Sequence, residues 1–134
     1  NSGYLVLGHV IERVTGASYE KFVTDNIFTP LGMKDSGYDS NTAVIPRRAS
    51  GYMPSPHGPV NAGFVHMSIP HAAGALYSTT GDLLRWEQGY IQAALKLSHG
   101  NVSQAARLLG VNRTTLYNRM EVLERDLDAP SGTS

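Results

Sequence analysis

Residues 102–123 read Val-Ser-Gln-Ala-Ala-Arg-Leu-Leu-Gly-Val-Asn-Arg-Thr-Thr-Leu-Tyr-Asn-Arg-Met-Glu-Val-Leu. The pattern is a helix, a short glycine turn and a second helix. Ala105 and Ala106 are small where two helices cross closely. Gly110 permits a left-handed turn residue, and Val111 plugs the corner. Leu116, Met120 and Leu123 recur at i, i+4 and i+7, forming the inward stripe of the second helix. The opposite edge carries Asn112, Arg113, Thr114, Thr115, Asn118 and Arg119. Such donors suit a helix laid in a major groove: Arg reads guanine, Asn reads adenine, and Thr meets a thymine methyl or a phosphate. A plain helical hairpin with a solvated polar face satisfies the same spacing.

The flanks extend this reading. From Thr80 to Ser98, Leu84, Ile91, Ala94 and Leu95 share one helical face. Ser78 or Thr79 serves as cap, and Asp82 sits near the positive end. Gly89 is the weak point of that helix, at about 1 kcal/mol against Ala. Gly100 ends it, Asn101 caps a helix over 102–109, and Asn112 caps a last helix from Arg113 to about Leu127. The tail, 128–134, holds Pro130 and Gly132 and is expected to be disordered.

The chain has 134 residues, with eleven basic and eleven acidic side chains. Charged residues make up 16%, below the roughly 25% of ordinary domains. That excludes a charged, disordered polyelectrolyte and a globally basic nucleic-acid binder. The balance is uneven, however. Between Tyr90 and Met120 the formal charges are Lys96, Arg107, Arg113 and Arg119, with no acid. Such a segment is an anion-facing surface or a solvated helix face. With no cysteine there is no disulfide, thiolate metal site or cysteine nucleophile. No apolar run nears the roughly 18 residues of a membrane span. The chain opens at Asn1 directly into a helical pattern, as expected of a start inside a longer protein.

Tyr90-Ile91-Gln92-Ala93-Ala94-Leu95 and the run Gly100-Asn101-Val102-Ser103-Gln104-Ala105-Ala106-Arg107-Leu108-Leu109-Gly110-Val111-Asn112-Arg113-Thr114-Thr115-Leu116-Tyr117 resemble the Fis-type helix-turn-helix, over about 88–125. That module ends many bacterial enhancer-binding regulators of the NtrC type. The resemblance implies sequence-specific binding of double-stranded DNA as a homodimer, in the cytoplasm, as part of transcription regulation. Asn112, Arg113, Thr114, Thr115, Asn118 and Arg119 would face the DNA. Members often carry more basic residues late in the recognition helix, where this chain has Asn118, Glu121 and Val122.

The first two thirds read differently. A helix over Gly3–Thr15 places Leu7, Val10, Ile11 and Val14 inward. Gly16 stops it, and Ser18 caps a short helix over Tyr19–Asn26 with Phe22 and Val23 inward. Pro30-Leu31-Gly32-Met33 breaks the pattern. A long irregular stretch from Lys34 to about His71 follows, with short strands expected at Val44-Ile45 and Gly63–Met67. Asn1-Ser2-Gly3-Tyr4, Ile11-Glu12-Arg13-Val14-Thr15-Gly16, Phe28-Thr29-Pro30-Leu31-Gly32-Met33, Gly74-Ala75-Leu76-Tyr77-Ser78-Thr79 and Asp82–Gly89 resemble serine β-lactamase-related proteins. These include class C, penicillin-binding and esterase-like hydrolases. Asn1 matches the Asn of their Tyr-x-Asn motif, which helps hold substrate and orient the catalytic lysine.

That family attacks with the Ser of Ser-x-x-Lys, which precedes Tyr-x-Asn. The formal match here, Ser18-Tyr19-Glu20-Lys21, follows Asn1, so Ser18 reads as a helix cap. The Lys/His-Thr-Gly strand has no match. His66 and His71, five apart, fit no zinc spacing and have no carboxylate near in sequence. No metal, cofactor or membrane partner is expected.

The expectation is therefore a mainly α chain. Residues 1–89 form a catalytically incomplete β-lactamase-like helical segment with a long irregular loop. Residues 90–127 form a three-helix Fis-type module and 128–134 a disordered tail. The function expected is DNA binding, not catalysis. Two alternatives stay open: a fragment of a serine β-lactamase or esterase-like hydrolase whose nucleophile is not in this chain, and a designed or chimeric fusion without joint function.

Overall fold

The computed structural model describes residues 1–128. The elements run α1 (Ser2–Thr15), α2 (Tyr19–Val23) continued by a π turn (Thr24–Phe28), β1 (Gly37–Tyr38), β2 (Tyr52–Met53), β3 (Val60–Asn61), a 3-10 turn (His71–Ala73), β4 (Leu76–Tyr77), α3 (Thr80–Leu97), α4 (Val102–Leu108) and α5 (Arg113–Asp128). The chain divides into two compact units. One is built from residues 1–26 and 36–77, the other from 27–35 and 78 onward.

In the first unit, α1 ends where the sequence placed its stop. Gly16 is left-handed at φ 69 and returns its N–H to the Glu12 carbonyl. Ser18 caps α2, its Oγ accepting from the Lys21 N–H at 3.2 Å. The buried position of α1 is Gly8, and a Cβ there would lie 2.5 Å from the Ala72 Cβ. Only a glycine lets the 3-10 turn come this close. Gly8→Ala is therefore expected to destabilise the chain by about 1–3 kcal/mol through overpacking, although Ala favours an exposed helix by about 1 kcal/mol. A urea titration followed by circular dichroism measures it.

This docking overturns the expected inward face of α1. Leu7, Val10 and Val14 are exposed, Val14 by 80%. Leu5, Ile11 and Glu12 are the half-buried side chains beside Gly8. The helix is seated through its smallest residue, so the apolar stripe points elsewhere.

The irregular stretch holds two antiparallel ladders of two residues each. Gly37 pairs with Tyr77 and Tyr38 with Leu76, while Tyr52 pairs with Asn61 and Met53 with Val60. The strands expected at Val44-Ile45 and Gly63–Met67 do not form. Pro46, Pro54, Pro56 and Pro59 remove ladder donors and keep pairing short. Side chains pin the loop instead. The Asn41 carboxamide donates to the Val65 carbonyl at 3.0 Å and accepts from the Met67 N–H at 2.7 Å. Arg48 holds both oxygens of Asp39, at 2.8 and 2.6 Å.

In the second unit, Thr79 caps α3 by accepting from the Asp82 N–H at 3.2 Å. The fully buried Asp82 accepts the Asp35 N–H at 2.8 Å and an Arg85 N–H at 2.6 Å. Phe28 lies edge-on to Trp86, centroids 6.3 Å apart, and Leu31 sits on Gly89. One turn further along α3, Ile91 and Ala94 join Ala105, Ala106, Leu116 and Leu123 in one buried cluster. Gly110 makes the α4–α5 turn at φ 66.

These contacts correct the expected architecture. A β-lactamase-like segment ending at Gly89, followed by a separate three-helix Fis-type module, would need a boundary inside α3. That helix runs unbroken from Thr80 to Leu97, as expected from sequence. Its first half is packed on residues 27–35 and its second half on α4 and α5, within one unit. Of the tail expected to be disordered, Asp128 closes α5 and the rest lies outside the described residues.

Candidate functional site

Asn1 opens α1, and its carbonyl accepts the Leu5 N–H at 3.1 Å. Asparagine in this position ordinarily turns its side chain back onto the first turn. Here the carboxamide makes no capping bond, and the residue is exposed. Its donor and acceptor are available to a bound molecule.

Ser18 is placed otherwise. Its oxygen receives the Lys21 backbone N–H, while the Lys21 ammonium reaches Asp25 at 2.7 Å. A serine nucleophile needs a base within hydrogen-bond reach. The lysine of this Ser-x-x-Lys match is turned to its own helix, so Ser18 acts as a cap.

Residues 38–46 and 66–68 enclose an open cleft of about 630 Å³, edged by Glu20 and Tyr77. Asp39 is held there by Arg48, and His66 Nδ1 bonds Ser68 Oγ at 2.8 Å. No local motif marks this cleft in sequence, because loop crossings far apart in the chain make it.

The densest cluster of titratable groups surrounds the turn at His71. His9 Nδ1 lies 3.3 Å from Glu12 Oε2, and the His9 and His71 rings stack at 5.1 Å. Tyr19 and Tyr38 meet the His71 ring edge-on. The pair considered from sequence, His66 with His71, is not brought together. His66 is exposed on its own loop, whereas His71 joins His9 and Glu12. The available signal was the i, i+3 spacing of His9 and Glu12 on one helix face.

The Tyr19 backbone N–H, donated to Glu12 Oε1 at 3.0 Å, holds the Glu12 carboxyl below its ordinary value, with His9 and His71 adding to the effect and desolvation opposing it. A lowered folded-state pKa contributes stability that is present above the unfolded value and lost as pH falls through the folded one. Acid titration of the full chain is thus expected to show a loss of stability below about pH 4.3, the ordinary Glu value. Glu12→Gln should blunt that loss. Burial pushes the Tyr19 and Tyr38 hydroxyls up, the opposite sense, which removes stability only in strong alkali.

The residues expected to face DNA are placed as follows. Asn112 caps α5, its Oδ1 accepting from the Thr115 N–H at 2.7 Å. Arg113 lies over the Tyr117 ring at 5.3 Å and donates to its hydroxyl at 3.2 Å. Arg119 pairs with Glu87 of α3 at 3.4 Å. Thr115 and Asn118 border the same α3–α5 groove, and Thr114 is exposed.

A family model described as Beta-lactamase matches residues 1–129. The chain belongs to that family. The match runs through α3, α4 and α5, so it overturns the reading of 90–127 as a Fis-type, DNA-binding module of a transcription regulator. Relatives agree. The D-alanyl-D-alanine-carboxypeptidase/endopeptidase AmpH of Escherichia coli K12 is 26% identical over 121 residues, covering 90% of this chain and 28% of its own. The human serine beta-lactamase-like protein LACTB, mitochondrial, is 32% identical over 105 residues, covering 75% of this chain and 19% of its own. Among solved structures, the D-amino acid amidase of Ochrobactrum anthropi SV3, complexed with L-phenylalanine amide, superposes with a TM-score of 0.55 at 27% identity. That match covers 86% of this chain and 30% of the amidase. The chain thus spans under a third of each of these proteins. Among the described residues no helix is long and apolar enough to cross a membrane.

Proposed function

We propose that this chain is the Asn-bearing segment of a serine acyl hydrolase of the β-lactamase and penicillin-binding type. Its nucleophile is a serine other than Ser18. The substrate class is an acyl compound of a D-amino acid: a D-alanyl peptide, a D-amino acid amide or a β-lactam. The relatives' names support that class, since AmpH is a D-alanyl-D-alanine carboxypeptidase and the amidase acts on D-amino acid amides.

The observation that carries the reading is the uncommitted carboxamide of Asn1 at the head of α1. An amide N–H offered to a substrate carbonyl, and an amide oxygen offered to a lysine ammonium, need a side chain that is not spent as a cap. Asn1 would position the substrate acyl group and the base, and the covalent step would belong to the serine. Such positioning works by pre-set geometry, so its loss appears in the rate of acylation.

The test grafts this chain into AmpH in place of the 28% it matches, then measures hydrolysis of a D-alanyl-D-alanine peptide. Asn1→Ala in the graft is expected to lower kcat/KM by about 100-fold or more, the scale of removing one catalytic hydrogen-bond donor. A graft in which Asn1→Ala is as active as its parent contradicts the role.

A further inference from the structure

We propose that His9, Glu12 and His71 form a binding site for a divalent transition-metal cation of the zinc class. The three side chains each bring one donor atom, and these atoms all lie within 4.8 Å of one another. His9 and Glu12 stand one turn apart on α1. His71 heads the 3-10 turn that α1 meets through Gly8. Around zinc, with bonds of about 2.0–2.2 Å, neighbouring donors stand about 3.4 Å apart. His9 Nδ1 and Glu12 Oε2 already stand at 3.3 Å. His71 Nε2 lies 3.8 Å from the other carboxylate oxygen, Glu12 Oε1.

The hydrogen bonds of His71 indicate which nitrogen is offered. Its Nδ1 lies 3.1 Å from the Tyr38 hydroxyl, and that hydroxyl donates to the Met67 carbonyl at 3.4 Å. A cation on Nε2 selects the tautomer with the ring proton on Nδ1, which the Tyr38 oxygen accepts while its own proton goes to Met67. Nε2 is then the lone-pair nitrogen. It is buried without a hydrogen-bond partner, and it faces a carboxylate, which is another acceptor. A buried lone pair that faces a carboxylate at this separation is matched by a cation between them. The arrangement matches the second shell of metal sites, in which a ligating histidine gives its other ring N–H to an oxygen. Glu12 is oriented in the same way by the Tyr19 N–H.

Two histidines and one carboxylate suit zinc, with a fourth position left to solvent beside the exposed His9. The competing occupant is a proton on Nε2, which would make a His71 imidazolium–Glu12 ion pair. The site is independent of the hydrolase reading. It would staple α1 to the 71–73 turn, and bound metal would raise the melting temperature of the unit that holds it by mass action.

Zinc titrated into the full chain, previously stripped with a chelator, tests the proposal by calorimetry together with NMR of the histidine rings. One ion per chain is expected. The His9 and His71 ring signals should shift, while His57, His66 and His99 stay in place. Tyr38→Phe should weaken affinity about 10–100-fold at unchanged stoichiometry, as removal of an outer hydrogen bond does. His9→Ala, at an exposed position, should keep the fold by circular dichroism and weaken zinc by at least that factor. Absence of saturable binding, shifts at the other three histidines, or wild-type affinity in His9→Ala overturns the site. So does a His71 ring that responds to acid and not to zinc, because the proton is then the occupant.

Discussion

Leu116→Ala is expected to cost about 3 kcal/mol of unfolding free energy, within the 2–5 kcal/mol range of buried leucine truncations. Leu116 is wholly buried in the cluster shared by α3, α4 and α5. Its neighbours there, Ala105 and Ala106, have no side-chain length with which to fill the space. The cavity would therefore persist, which keeps the cost above the low end of that range. A small domain has only about 5–15 kcal/mol in total, so the loss is a large fraction. Trp86, the single tryptophan, lies on α3 against Phe28 and reports this unit by fluorescence. Its urea midpoint should fall, and an unchanged midpoint would mean that the cluster is not a stabilising core.

Asp82→Ala is expected to be about as damaging, near 3 kcal/mol, by a different route. Asp82 is a fully buried carboxylate that ties the 27–35 segment to α3 through the Asp35 N–H and also holds Arg85. Removing it leaves a backbone donor without its acceptor, at about 1–3 kcal/mol. It also strips the charge partner of Arg85, whose half-exposed guanidinium can turn to water and so adds less. Asp82→Asn keeps an oxygen for Asp35 but loses the charge, and should fall between wild type and Asp82→Ala. Thermal melts followed at Trp86 rank the three. Equal stability of Asp82→Ala and wild type would contradict the tie.

Helix ends were the most legible part of the sequence. Gly16, Ser18, Thr79, Asn101 and Asn112 all terminate or cap helices as read, because a cap is a contact within three or four residues and needs no tertiary partner. The inward stripe Leu116–Leu123 was legible too. The inward face of α1 was not: periodicity marks an apolar stripe, but Gly8 decided the docking, and a glycine has no hydropathy signal. The boundary at Gly89 was misplaced for a related reason. It was drawn from local patterns alone, whereas Leu31 and Phe28 pack on the α3 residues around it, from a segment more than fifty residues earlier.

At Ser18 the reading as a helix cap was legible, and the structure shows that cap. The cluster at His71 was not legible. Its members become neighbours only when α1 meets the 3-10 turn, and the sequence pairing of His66 with His71 pointed to the wrong partner. The basic run from Lys96 to Arg119 was legible as charge and misleading as function. Arg113 and Arg119 spend their guanidinium groups on Tyr117 and Glu87 of their own unit.

The measurement that bears most directly on the account is acylation of the AmpH graft by a fluorescent penicillin, read as a labelled band on a gel and mapped by mass spectrometry. The account expects the graft to be labelled on an AmpH-derived serine, with Ser18→Ala making no difference. A folded graft that takes no label, or a label carried by Ser18, would contradict it.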